Sequence, residues 1–159
     1  ADCLLDEEGT GFTIALDTLD GGRLGIASQA LGITRAAIDL IGAHLASQKD
    51  ARGRPNASQP DQWLFADLAS ELDAYRFLTW RAATLRDRGV RCSTEAAMAK
   101  STASRLANRA TRAAVSILGL SGVTGTNSAE RLLRDARITE IYEGATDIQR
   151  LVIARGLLA

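Results

Sequence analysis

The chain has two prolines, Pro55 and Pro60, and both fall in residues 49–60. A proline ring fixes φ and removes a backbone donor, so it interrupts a helix more strongly than any other residue. Outside that stretch only glycines break a helix-forming composition, rich in Ala, Leu and Arg, with aromatics at 4%. Apolar residues recur at spacings of three and four. Leu24, Ala27, Leu31, Thr34, Ile38 and Ile41 form the inner stripe of a first helix that starts between Thr13 and Thr18 and continues to about Ser47. Gly21 and Gly22 weaken its first turns by about 1 kcal/mol each, so packing must hold them. Gly53, Pro55, Asn56 and Pro60 make residues 49–60 a loop. A second helix over residues 61–88 carries Leu64, Leu68, Leu72, Tyr75, Leu78, Ala82 and Leu85 on one face and stops at Gly89. A third starts near Ser93 or Thr94, aligns Ala99, Ala103, Leu106, Ala110, Ala113 and Ile117, and ends at Gly119. Residues 120–126 read as a turn. Asn127 and Glu130 have capping-box spacing and open a fourth helix. The fifth covers residues 146–157, with Thr146 as its N-cap. The expected fold is all-α, an up-and-down bundle of three long and two short helices.

Nineteen basic and nineteen acidic side chains cancel, which points away from nucleic acid and anionic membranes as partners. No apolar run reads as long enough to cross a bilayer, and residues 1–8 are acidic where a secretory leader is basic. Cys3 and Cys92 show neither metal nor redox spacing, and the single His44 completes no ligand set. The expectation is an intracellular protein with reduced thiols and no metal.

One stretch carries candidate chemistry. Residues 134–150 join two helical patterns: Leu132, Leu133, Ala136 and Ile138 keep helical spacing before a short turn, and Ile148, Leu151, Val152 and Leu158 keep it after. The turn holds Glu143 between Tyr142 and Gly144, a residue free to take the positive φ that links two helices. A carboxylate held there is a candidate general base. A solvated glutamate in a helix–helix loop has the same spacing.

Arg134-Asp135-Ala136-Arg137-Ile138, Ile141-Tyr142-Glu143-Gly144, Ile148-Gln149-Arg150 and Ala154-Arg155 together resemble the C-terminal signature of the acyl-CoA dehydrogenase family. The likeness extends along the chain through Ala30-Leu31-Gly32, Gln59, Ala66-Asp67-Leu68, Arg81-Ala82-Ala83 and Ala97-Met98-Ala99-Lys100. It implies that residues 1–12 are the tail of a preceding β domain or a linker, and that residues 13–159 are the C-terminal helical-bundle domain. It also implies the catalytic base, Glu143, taking the α-proton of an acyl-CoA while FAD takes the β-hydride. Arg23 and Asp20, in Leu19-Asp20-Gly21-Gly22-Arg23, resemble the family's substrate-site pair, with Asp20 near the pantetheine arm and Tyr142 and Gly144 also at the substrate. Some members carry their glutamate one residue before that arginine; here the position is Gly22, which favours Glu143 as the single base. Further implications are a role in fatty acid metabolism, a dimer or tetramer, and electron-transferring flavoprotein as acceptor. The cytoplasm, or the mitochondrial matrix in a eukaryote, is the implied location.

Departures from the family pattern fall on positions that bind FAD across a subunit interface. The arginine of R-x-x-F-G falls on Gln48 or, one residue on, Lys49, followed by Arg52 and Gly53 without the phenylalanine. The Q-x-x-G-G pattern becomes Ser116, Gly119 and Leu120, and the threonine of E-G-T is Ala145. The cofactor-binding set implied is Lys49, Arg52, Ser116, Gly119, Ala145 and Asp147. Its altered chemistry leaves two alternatives beside a full dehydrogenase: a half-site or non-catalytic subunit of a heteromer, and an acyl-CoA oxidase of the same fold.

Overall fold

The computed structural model describes residues 4–159; Cys3, like the rest of residues 1–3, lies outside them. Six helices follow in order, α1 (Gly11–Ser47), α2 (Gln59–Asp87), α3 (Ser93–Leu118), α4 (Leu120–Val123), α5 (Ala129–Ile138) and α6 (Thr146–Leu158). Among the described residues the extended pairing is a single bridge, Lys49 to Pro55. The three long helices and two of the shorter ones are those the periodicity predicts.

The helix ends differ from the sequence expectation where local chemistry intervenes. Helix α1 starts at Gly11, ahead of the expected Thr13, because the Thr10 carbonyl accepts from Thr13 and Ile14 N–H while its hydroxyl donates to the Glu7 carbonyl at 2.8 Å. Pro60 belongs to the first turn of α2, not to the loop: its missing N–H is one the first turn leaves unbonded. Ser58 caps that helix, its Oγ accepting from Asp61 N–H at 3.3 Å. Residues 120–123 make a helical turn where a plain turn is expected, with Gly122 close enough to Val115 that a Cβ would come within 2.8 Å of its carbonyl oxygen. The expected capping box does not form. Asn127 Oδ1 accepts from Ala129 N–H at 2.9 Å, and Glu130 instead pairs with Arg134 at 2.6 Å. Thr146 lies inside α6, whose N-cap position is Ala145, without a side-chain cap.

Ser93 at the start of α3 donates to Asp20 near the start of α1, and Leu45 and Leu118 share a core cluster at the other end. Helices α1 and α3 are therefore parallel and packed directly on each other, with α2 running antiparallel to both. Two layers make the core. Ile38, Ile41, Leu45, Leu68, Leu72, Leu106 and Leu118 fill one end. Toward the other end the fully buried members of the layer are alanines, Ala27 and Ala30 of α1, Ala99, Ala103 and Ala107 of α3, and Ala136 of α5, with Leu31, Ile33 and Leu78 packed against them partly buried. The small alanine side chains bring the backbones close enough for α3 to be enclosed by α1, α2, α5 and α6. That enclosure shifts the α3 stripe, so Ala114 and Leu118 are buried and Ala113 and Ile117 only partly.

Two expectations are corrected by packing. Helix α1 contains an 18-residue window of mean hydropathy 1.3, so it is long and apolar enough to cross a bilayer. Here its apolar side is taken up by α2 and α3. In α6 the apolar residues Ile148 and Leu151 stay about half exposed while Gln149 is fully buried, because α6 meets α3 through its polar and small side. Gly156 sits where a Cβ would collide with Thr94.

Replacing Ala103 with leucine is expected to overpack the alanine layer and cost about 1–3 kcal/mol. Urea unfolding, read by far-UV circular dichroism, should show the midpoint fall; an unchanged midpoint would mean the layer has room to spare.

Candidate active site

A row of polar side chains at intervals of four residues on α3 holds the segment that follows α5. Asn108 Nδ2 donates to the Ala136 carbonyl at 3.0 Å, Ser104 Oγ to the Thr139 carbonyl at 2.9 Å, and Lys100 Nζ to the Gly144 carbonyl at 2.7 Å. The last carbonyls of a helix have no partners within it, and this row supplies them from a neighbour. Thr139 is fully buried and its hydroxyl returns to the Ala136 carbonyl at 2.7 Å. Gln149, one turn into α6, donates its amide to the carbonyls of Glu143 (3.1 Å) and Gly144 (2.9 Å).

So held, the turn places Glu143 at φ +53°, the one non-glycine among the described residues with positive φ. A left-handed conformation at such a residue costs about 1–3 kcal/mol and persists where the surroundings over-determine it. Gly144 follows at φ +92°, and a Cβ there would collide with the Gln149 amide. The glycine is required on both counts.

The Glu143 side chain reaches α1. Its carboxylate lies against Gly22, in the space a Cβ at that position would fill, and Oε2 is buried with no hydrogen-bond partner among the described residues. One residue on, Arg23 is buried, its Nη1 donating to Asp20 Oδ1 at 2.5 Å while Nε has no partner. Asp20's other oxygen takes the Ser93 hydroxyl, so both carboxylate oxygens serve to hold Arg23 and the start of α3. Tyr142 donates its hydroxyl to Gln29 Oε1 at 2.5 Å and ties the turn to α1. Burial pushes the Lys100 ammonium below the usual lysine range, with Glu140 and Glu143 opposing the shift. In this way Glu143, Arg23, Asp20, Tyr142 and Gly144 are brought together. Lys100, Gln149 and Ser93, which hold them, were not among the sequence candidates as site residues. The signal available was the interval of four that places Lys100, Ser104 and Asn108 on one face of an alanine-rich helix.

The cofactor candidates divide. Ala145 and Asp147 are exposed beside the turn, Asp147 paired with Arg150 at 2.8 Å. Lys49, Arg52, Ser116 and Gly119 are exposed at the opposite end of the bundle. From Gly22 to Gln48 along α1 the separation is about 40 Å at 1.5 Å per residue. One subunit's two ends cannot serve the same small molecule.

A carboxylate with an oxygen lacking hydrogen-bond partners thus lies against Gly22, the residue before the buried Arg23, at one end of a helical bundle. The family described as "Acyl-CoA dehydrogenase, C-terminal domain" matches residues 9–158, and the chain belongs to that family. The chain is 52% identical over 158 residues to the mitochondrial short-chain specific acyl-CoA dehydrogenase of Bos taurus, covering 99% of this chain and 38% of the relative. It is 47% identical to an acyl-CoA dehydrogenase of Bacillus subtilis over 98% of this chain and 41% of that protein. The butyryl-CoA dehydrogenase structure from Megasphaera elsdenii superposes with a TM-score of 0.90 at 40% identity, over 96% of this chain and 40% of the other. The chain thus spans about two-fifths of the length of these relatives.

Alanine at an open helical glycine stabilises, and Gly25 has nothing within 4 Å of where its Cβ would be. Gly25→Ala should therefore gain about 0.5–1 kcal/mol, whereas Gly22→Ala should gain nothing or lose stability because the methyl displaces the Glu143 carboxylate. Equal gains in urea unfolding would show that the carboxylate does not occupy that space.

Proposed function

We propose that the full-length protein is an FAD-dependent acyl-CoA dehydrogenase that oxidises short-chain acyl-CoA thioesters at the α,β bond, with Glu143 as the base. The observation that carries this reading is the Glu143 carboxylate itself: strained into place, half-buried, and with one oxygen free of protein partners beside Arg23. A general base needs a lone pair directed at the proton it removes and a fixed approach. Oε2 would take the α-proton, leaving the electron pair on the substrate's α carbon. Arg23, fixed by Asp20, puts a positive charge beside the nascent carboxylic acid and the thioester. Tyr142 and Gly144 form the wall on which the acyl portion rests. The short-chain preference is carried over from the Bos taurus and Megasphaera elsdenii relatives.

FAD, when bound, supplies the acceptor for the β-hydride. Lys49 and Arg52 make no ion pair among the described residues, whereas neighbouring Arg54 is taken by Asp50 at 2.7 Å. Two free cations at the end of the bundle that also carries Gly119 would suit a diphosphate, and their distance from Glu143 supports a role toward a neighbouring subunit's FAD. Ala145 and Asp147 would adjoin the flavin at this end. Residues 1–12 would enter from a β domain, electrons would leave through electron-transferring flavoprotein, and the subunits would form a dimer or tetramer.

A second reading, a half-site subunit of a heteromer, is favoured by Leu120, which stands 79% exposed beside Gly119 where a cofactor would approach. Native mass spectrometry with flavin quantification separates the two. One subunit type with one FAD per chain is the expected outcome, and two subunit types with fewer flavins than chains would establish the second.

Anaerobic mixing of the full-length flavoprotein with butyryl-CoA should bleach the flavin absorbance. Glu143→Gln is expected to slow that bleaching by at least about 100-fold, the usual scale for loss of a general base. A variant that bleaches at the wild-type rate would remove Glu143 from the chemistry. Oxygen uptake during turnover without an added acceptor would identify an oxidase instead.

A further inference from the structure

Lys100 is fully buried, and its one protein hydrogen bond among the described residues goes to the Gly144 carbonyl at 2.7 Å. This is an uneconomical way to fill a helix interface. An ammonium has three hydrogens to satisfy, and burying a charge is unfavourable unless it is paired. An apolar side chain of the same length would pack there without that difficulty. The bond that the charge makes is stronger than a neutral one, and its target is the Gly144–Ala145 peptide, the second after the strained Glu143.

The two other donors in the α3 row differ from it. Asn108 and Ser104 are neutral and satisfy carbonyls at the end of α5, a task any helix terminus requires. Lys100 reaches past that terminus into the turn. There it shares the Gly144 carbonyl with Gln149, whose amide also takes the Glu143 carbonyl. The Glu143–Gly144 peptide is therefore fixed at its own carbonyl by Gln149, and the Gly144–Ala145 peptide that follows by Gln149 and Lys100. With both fixed, rotation of the peptide between the left-handed and right-handed conformations at Glu143 is blocked. The carboxylate then has one approach, across to Gly22.

We infer that Lys100 is a positioning residue for Glu143: its buried ammonium and the Gln149 amide clamp the Gly144 carbonyl and hold the base in its left-handed conformation. The inference rests on Glu143 being the base. The clamp acts on the approach of the carboxylate and leaves the acyl-CoA contacts in place. Its loss therefore lowers kcat and leaves KM nearly unchanged, because a misplacement near 1 Å can cost about 100-fold in rate.

The test uses the full-length flavoprotein with butyryl-CoA and an electron acceptor dye, and compares Lys100→Met, Lys100→Arg, Gln149→Met and Glu143→Gln. Thermal unfolding and flavin content establish that each variant is folded. Lys100→Met should lose ten- to a hundredfold in kcat with KM within about twofold of wild type, and Lys100→Arg should recover much of the loss. Wild-type kcat in Lys100→Met overturns the inference, and so does a kcat loss in Lys100→Arg as large as that in Lys100→Met, or a loss confined to KM. Should Lys100→Met fail to fold, Gln149→Met decides: a kcat-selective loss supports the clamp and wild-type kcat refutes it. A fully active Glu143→Gln overturns the base assignment instead, so the two failures appear in different variants.

Discussion

The organisation of this domain rests on one helix supplying hydrogen bonds to the end of another. From α3, Asn108, Ser104 and Lys100 reach, at successive turns, the carbonyls that close α5 and the turn beyond it. Without Ser104 the carbonyl of the buried Thr139 would lose the partner that this row gives it, and leaving such a group unsatisfied costs about 1–3 kcal/mol. With all three, the chain can stop one helix, bend and begin another inside the bundle's packed boundary. The bend is what presents a side chain where a continuous helix could not. A turn built only from its own side chains would be a surface loop, free to move.

The alanine layer makes that reach feasible. Ala99, Ala103 and Ala107 on α3 and Ala136 on α5 are fully buried, so the two backbones approach closely enough for short side chains to span between them. A leucine core of the kind that fills the other end would hold the helices further apart. Serine at position 104 would then fall short of the Thr139 carbonyl. The two ends of the bundle thus carry different packing for different duties. One is filled by large aliphatics, and the other is compressed so that polar contacts can be made in the interior.

Much of this was legible in the residue order. The helices announce themselves by spacing, and the turn at Glu143 by the glycine after it and by its resemblance to a family signature. Arg23 and Asp20 were readable as a pair because three residues along a helix bring side chains together. What was not legible depended on contacts across the sequence. The collision at Gly22 requires α1 and the turn, 121 positions later, to meet. Lys100 stood out only as part of the family likeness in Ala97-Met98-Ala99-Lys100, because a buried lysine and an exposed one are written with the same letter. The apolar residues of α6 misled for the opposite reason: Ile148 and Leu151 keep helical spacing, yet the surface that meets α3 is the one carrying Gln149 and Gly156.

The shared space of Gly22 and Glu143 also constrains how such a protein can change. A side chain at position 22 and the present carboxylate at position 143 exclude one another, so their effects are not independent. Moving the acidic group from the turn to α1 would require both positions to alter, and either order passes through an unfavourable intermediate. Acquiring the new acid first crowds two carboxylates into one volume; losing the old one first leaves none. The present arrangement is therefore a local optimum separated from its mirror by a mutational barrier, set by the space a single methyl group would need.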